Sequence, residues 1–301
     1  MFARRLLVVL ALTAALPAPA AEAVPLAEEA VVGANRPVVW LFPNETHNPM
    51  AAGPFIAQSA LEYSGTDSCR GDNLPGRGQV DPRTLAEGGY HHYGQFPRCD
   101  RKPTASTKDP KAPFSLDLDD AARGGDLARA PTYYEFVKGQ AITFWFLYGY
   151  NATDGFGVED HEGDWERVSF ILNAENRVTS VVFHEHAYAC RIDPGELERD
   201  GGQPVVYSAQ GTHASYPHPG SYEIKGAPPM ARDHAGQGTR WAPPPIPVGN
   251  QTWYGYAGHW GNGTEAPDGP SPHRAGAPDD PSRVPTCECL HHFKSGCPFT
   301  T

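Results

Sequence analysis

The chain has 301 residues, enough for one large all-β domain or two smaller ones, and a formal net charge of −11. That acidic balance argues against nucleic acid as a partner and against adhesion to anionic lipid by bulk charge, while it is compatible with binding cations. Its 32 glycines and 31 prolines are spread among apolar runs, which suits short strands joined by long structured loops.

The first residues, MFARRLLVVLALTAALPAPAAEAV, predict a secretory signal peptide over 1–23. Arg4 and Arg5 precede an apolar stretch, Leu6 to Leu16, that is too short to span a bilayer. Small residues suited to cleavage follow it. The expectation is a secreted protein with no transmembrane segment after signal removal. Residues 24–35 form a leader segment.

RPVVWLF (36–42) opens a β-sandwich domain expected to run from 36 to 262. Residues 64–115 are polar and rich in Gly, Pro and Asp, so they read as a long loop insertion pinned by Cys69 and Cys99. LDLDDAARGGDLARA (116–130) holds one short helix. Further strands are AITFWFLYGYN (141–151), WERVSFILN (165–173), VTSVVFHEHAYA (178–189), QPVVYSA (203–209) and QTWYGYAGHW (251–260). Hairpin-length gaps between consecutive strands predict an all-β fold, an antiparallel β-sandwich with long loops and disulfides. Residues 263–286 read as a Pro/Gly-rich linker and 287–301 as a Cys-rich C-terminal tail. Six cysteines after an export signal favour disulfides, with Cys69–Cys99 as one pair and Cys190 tied to the tail. Zinc held by the tail cysteines with His291 and His292 is the alternative.

Residues 161–166, HEGDWE, carry three acids and a histidine directly before a run that reads as a buried strand. On a strand, Asp164, Glu166, Val168, Phe170 and Leu172 share one face. If that face is the core, two carboxylates about 6.6 Å apart at the Cα atoms sit where the core opens. Partly withdrawn from water, they need a cation, a basic side chain or a shared proton. Gly163 permits a bend that brings the His161 imidazole to the same centre. His161, Asp164 and Glu166 are therefore candidate ligands of a divalent metal. The other reading is a solvated strand end, or Glu166 paired with Arg167 or Arg191. His184 and His186 lie two apart on a predicted strand, and His213 lies in a tight loop after another. No G-x-S-x-G elbow and no H-E-x-x-H is present. Tyr148, Tyr150, Tyr207 and Tyr216 flank the region and either stack on a sugar ring or fill the core.

FWFLYGYN (144–151), HEGDWERVSF (161–170), VVFHEHA (181–187) and PVVYSAQGTHASYPHPG (204–220) together resemble the vacuolar protein sorting-associated protein 62 family. By that resemblance His161, Asp164, Glu166, His186 and His213 fall on motif positions, while His184 does not clearly do so. The stretch is more distantly similar to the necrosis- and ethylene-inducing-like proteins. These are secreted β-sandwich cytolysins whose H-x-H-D-W-E motif helps bind a divalent metal that engages sphingolipid headgroups. Gly163 departs from that motif by replacing its second histidine. Those proteins also use an aspartate upstream of the first histidine; here Thr153 holds that place and Asp154 follows it.

The expected function is a secreted divalent-metal-binding protein that docks a lipid headgroup or glycan, with perturbation of target membranes as the implied consequence. His161, Asp164, Glu166, Asp154 and His186 are the candidate ligands. His213, His184, Tyr207 and Tyr216 lie around them. An oxygen-rich set predicts Ca²⁺, Mg²⁺ or Mn²⁺ rather than Zn²⁺. The alternative is a metal-dependent hydrolase using a metal-activated water, with His213 or Glu162 as general base.

Overall fold

The computed structural model describes residues 26–63, 69, 71–94, 98–153, 160–224, 230–262, 266–274 and 283–291. The residues of the expected signal peptide, and those after His291, lie outside this set. Two sheets face each other. The larger has six strands in the order Tyr188–Ile192, Val178–Glu185, His161–Leu172, Ala141–Asn151, Thr132–Val137 and Pro245–Pro247. The smaller runs Arg199–Asp200, Gln203–Ser208, Val38–Trp40, Arg240–Trp241, with Ser215–Tyr216 paired to Gln203–Ser208.

The fold is the expected all-β sandwich, and most pairings are antiparallel. The opening strand differs: Val38 pairs with Val205 and Trp40 with Tyr207 in parallel. A parallel pair needs a long crossover, and five of the six strands of the larger sheet lie between these two strands in the chain. Pro245–Pro247 is also parallel to its neighbour.

Between the sheets, Val39, Leu41, Val206 and Trp241 meet Phe144, Phe146, Val168, Phe170, Val181 and Phe183. Each such side chain contributes about 1.5–3 kcal/mol when fully buried. Val168, Phe170 and Leu172 point inward here, so the predicted face of the 161–172 strand is the core face.

The outer face of the larger sheet is covered as well. Trp145, Leu147 and Trp165 pack against Phe55, Leu61, Phe114, Leu116 and Leu118, and against Trp253 and Trp260. Burial on both faces explains why AITFWFLYGYN reads as a continuous apolar run rather than an alternation.

Residues 64–115 contribute to this second core. They include the helix Pro82–Glu87, which buries Leu85. The Asp81 carboxylate caps it by accepting the Thr84 N–H, and Gly88 closes it in the left-handed region. Cys69 is bonded to Cys99 as expected.

One local expectation differs from the structure, which also fills in the detail of two further segments. QTWYGYAGHW is not a strand but a series of turns after the 3-10 turn Val248–Asn250, and Trp253, Tyr256 and Trp260 are buried together, Trp260 in edge contact with the other two rings. Residues 116–130 hold the end of the strand Phe114–Leu118 and a 3-10 turn, Asp120–Ala122, where Asp119 caps the turn. The segment 24–35 contains the helix Glu28–Asn35, which inserts Val31 and Val32 into the main core.

The end of the described chain straps the sheet edge. Cys190 is bonded to Cys287, Arg191 donates its N–H to the Pro285 carbonyl, and Leu290 packs on the main core. Cys289 is also disulfide-bonded, and among the described residues no cysteine is free, so neither Cys287 nor Cys289 offers zinc a thiol. Among the described residues, no helix is long and apolar enough to cross a membrane.

A candidate carboxylate–imidazole site

The 161–172 strand pairs with Ala141–Asn151 without slipping: Asp164 lies opposite Tyr148, Glu166 opposite Phe146 and His161 opposite Asn151. Alternation would put Glu162 beside Asp164. Gly163 breaks it, with φ of 59°. A Cβ on Gly163 would lie 1.8 Å from the Trp260 carbonyl oxygen, so no other residue fits without moving that backbone. Glu162 then turns toward the second core. Its Oε2 accepts the Leu118 N–H at 2.8 Å and its Oε1 accepts from Arg123 at 2.8 Å. The Arg123 guanidinium also lies 4.4 Å over the Tyr150 ring.

Asp164 and Glu166 remain on the inner face, 4% and 8% exposed. Asp164 Oδ2 accepts from His213 Nδ1 at 2.8 Å. His213 is fully buried, sits at φ 56°, and stacks on the Tyr148 ring at 3.8 Å and 7°. Its Nε2 faces Glu45 Oε1 at 3.7 Å. Burial alone would push the His213 imidazole down, but Asp164 and Glu45 outweigh it and raise the ring to about 9. Burial likewise opposes ionisation of Glu45, and the nearby His213 ring with the backbone N–H groups of Gly211 and His47 brings it down to about 2. The imidazole thus lies between two carboxylates, hydrogen-bonded to Asp164 and 3.7 Å from Glu45.

Glu166 has no such partner. It makes no hydrogen bond or ion pair among the described residues. Burial, then the charges of Asp164 and Asp233, push its carboxyl well above the usual range. An ionised carboxylate here is costly unless a cation joins it.

The other predicted residues are distributed as follows. The two ring nitrogens of His161 are engaged within the protein, Nε2 with Asn151 Nδ2 at 3.0 Å and Nδ1 with the Gly163 carbonyl at 3.0 Å. His186 lies just past its strand at φ 53°, and its Nε2 contacts Asp233 Oδ2 at 3.0 Å. Thr212 and Tyr216 donate hydroxyls to the same carboxylate, each at 2.6 Å. His184 instead meets Ser169 Oγ at 3.3 Å, so the two histidines of the H-x-H pattern serve different neighbours. Tyr207 donates to Glu198 at 2.8 Å, and Tyr216 stacks on Tyr222 at 3.9 Å. Both are buried core tyrosines. Asp154 lies outside the described residues. Glu185, Cys190 and His291 bring ligand atoms within 4.8 Å of one another, but the Cys190 sulfur is committed to Cys287.

Sequence reasoning missed Glu45 and Asp233. Glu45 follows Pro43 and Asn44 in a short loop, and nothing in that loop marks its carboxylate as buried. Its partner His213 is a histidine in a Gly-bounded loop, which was the visible half of the pair.

These features define a β-sandwich protein with a buried carboxylate–imidazole centre at the end of its central strand. The model of the family described as vacuolar protein sorting-associated protein 62 matches residues 150–231, a stretch that holds Asp164, Glu166, His186 and His213 but neither Glu45 nor Asp233. No curated protein matches the chain. Among solved structures, NLPPya in complex with glucosamine is 15% identical, with a TM-score of 0.35, covering 79% of this chain and 80% of that one. A structure described as a toxin fold for microbial attack and plant defense is 15% identical, with a TM-score of 0.36, covering 77% and 83%. Necrosis and Ethylene inducing Protein 2, from the causal agent of cocoa's witches' broom disease, is 14% identical, with a TM-score of 0.34, covering 65% and 71%.

Proposed function

We propose that this chain is an exported binding protein that takes a divalent cation at Asp164 and Glu166 and uses it to dock a polar headgroup or glycan. The observation that carries this reading is Glu166: a buried acid without a hydrogen-bond or ion-pair partner among the described residues, two residues along one strand from a second buried acid. A hard cation neutralises both carboxylates at once. Two carboxylate donors favour Ca²⁺, Mg²⁺ or Mn²⁺ over Zn²⁺. Asp164 and Glu166, neighbours on the inner face of one strand, are the carboxylate half of the expected ligand set. His161 does not join it in the observed arrangement, because Asn151 and the Gly163 carbonyl hold its ring. At the same end of the strand pair, the half-buried His47 and Tyr150 rings lie 5.2 Å apart. Groups of this kind read hydroxyls on a ligand that the cation anchors.

Hydrolysis is less well supported. A metal-activated water needs a base within hydrogen-bond reach. His213 is enclosed between two acids, and Glu162 is tied to Leu118 and Arg123. Neither is placed to take a proton from a substrate.

The test is cation-dependent binding. Metal-stripped protein, then protein reloaded with Ca²⁺, Mg²⁺ or Mn²⁺, is mixed with vesicles carrying glycosylated sphingolipid, and with phosphoester, glycoside and ester substrates. The reading predicts retention on the vesicles only after reloading, lost in Asp164→Asn, with no turnover. Turnover abolished by Asp164→Asn would replace the binder with an enzyme.

A further inference from the structure

Glu45 lies at the end of a chain of contacts that leads to Asp164. It is 166 residues from Gly211 in sequence, yet its Oε2 accepts the Gly211 N–H at 2.8 Å. Its Oε1 accepts the N–H groups of Thr46 and His47, each at 2.8 Å. Its side chain is 4% exposed and faces His213 Nε2. The other ring nitrogen of His213 reaches Asp164 Oδ2.

The backbone of the loop that carries His213 is held by its own turn, in which His213 donates its N–H to the Ala209 carbonyl at 3.1 Å, and by the packing of Gly211. Gly211 sits at φ 70°, pressed against the Ala152 carbonyl, where a Cβ would come within 2.2 Å. Ala152 donates its N–H to the Gly211 carbonyl at 2.9 Å. His213 itself occupies the left-handed region, which a residue with a side chain adopts only when its surroundings compel it. Tyr148 fixes the plane of the ring by stacking, but stacking does not distinguish the two flip states of the ring, about 180° apart about its Cβ–Cγ bond. The two carboxylates select one of them, Asp164 by a hydrogen bond at Nδ1 and Glu45 by its charge 3.7 Å from Nε2.

We infer that Glu45 is a positioning residue: it fixes the rotation of the His213 ring, and through it holds one oxygen of Asp164 away from Glu166 so that the other is presented to a ligand. This deepens the cation-binding reading and rests on it for its functional meaning. Groups that orient a ligand from behind change metal affinity by about 10–100-fold when removed.

The experiment uses the full-length protein, ¹⁵N-labelled, as wild type, Glu45→Gln and Glu45→Ala. The His213 ring N–H signal is assigned by its absence in His213→Gln. Backbone amide dispersion and the thermal midpoint report whether each variant folds. In Glu45→Ala the ring proton is expected to exchange with solvent at least about tenfold faster, with Glu45→Gln between it and wild type. Mn²⁺ affinity, measured by calorimetry, is expected to fall by about tenfold or more in both variants. Ring exchange unchanged in a folded Glu45→Gln protein overturns the inference. So does Mn²⁺ affinity unchanged despite faster ring exchange. Should wild type take up no Ca²⁺, Mg²⁺ or Mn²⁺, the cation reading fails by itself, and ring exchange alone decides whether Glu45 orders His213.

Discussion

Gly163 decides what the end of the central strand can present. Its positive φ turns Glu162 away from Asp164, and the Trp260 carbonyl fills the space where a side chain would begin. Gly163→Ala is therefore expected to destabilise the fold by about 2 kcal/mol or more, combining left-handed strain with a backbone clash. Urea unfolding measures this; a loss under about 0.5 kcal/mol would mean that the 260–261 backbone yields easily. Glu45 makes a second prediction at this scale. Its folded pKa of about 2 lies below the ordinary 4.5. The stability it contributes is thus present above about pH 4.5 and lost as pH falls toward 2. The stability gap between wild type and Glu45→Gln should be largest near neutrality and shrink through that acid window. Urea unfolding across the window checks it, and a gap independent of pH would contradict the assignment. The face carrying Asp164 and Glu166 was legible because strand side chains alternate with a period of two. The reversal at Glu162 was not, because it depends on a tertiary contact with Trp260.

Among the elements, the strap at 283–291 closes the edge of the larger sheet. The Cys190–Cys287 bond spans 97 residues, and Arg191 Nε donates to the Val284 carbonyl beside it. His291 and Glu185 then meet at 3.0 Å in the interior. Opening a loop of that length by Cys190→Ala with Cys287→Ala is expected to cost about 2–5 kcal/mol. Thermal unfolding reads the loss, and limited proteolysis should show earliest cleavage near the strap. An unchanged midpoint would show that backbone pairing and Leu290 hold the edge unaided. The strands at 141–151, 178–185 and 203–208 were legible from β-branched and aromatic enrichment. The 251–260 segment carries the same enrichment but forms turns, because Trp253 and Trp260 fill gaps on a sheet face instead of pairing along an edge. Composition alone does not separate those two uses of an aromatic side chain. The parallel pairing of 38–40 with 203–208 was equally invisible, since it is set by where the intervening sheet returns the chain.

At the scale of the whole molecule, two apolar cores sandwich the larger sheet, and its central strand carries acids at one end where the inner core gives way to polar side chains. The Glu45–His213–Asp164 chain uses charges from three distant segments to satisfy one of the two inner acids; Glu166 is left for something else. The measurement that bears most directly on this is calorimetric titration of the metal-stripped protein with Ca²⁺, Mg²⁺ and Mn²⁺, on wild type and Glu166→Gln, with thermal midpoints alongside. The account predicts saturable binding of one ion per chain with a raised midpoint, and affinity reduced by about tenfold or more in the variant. No binding heat and no midpoint shift with any of the three ions, or equal affinity in Glu166→Gln, would contradict it.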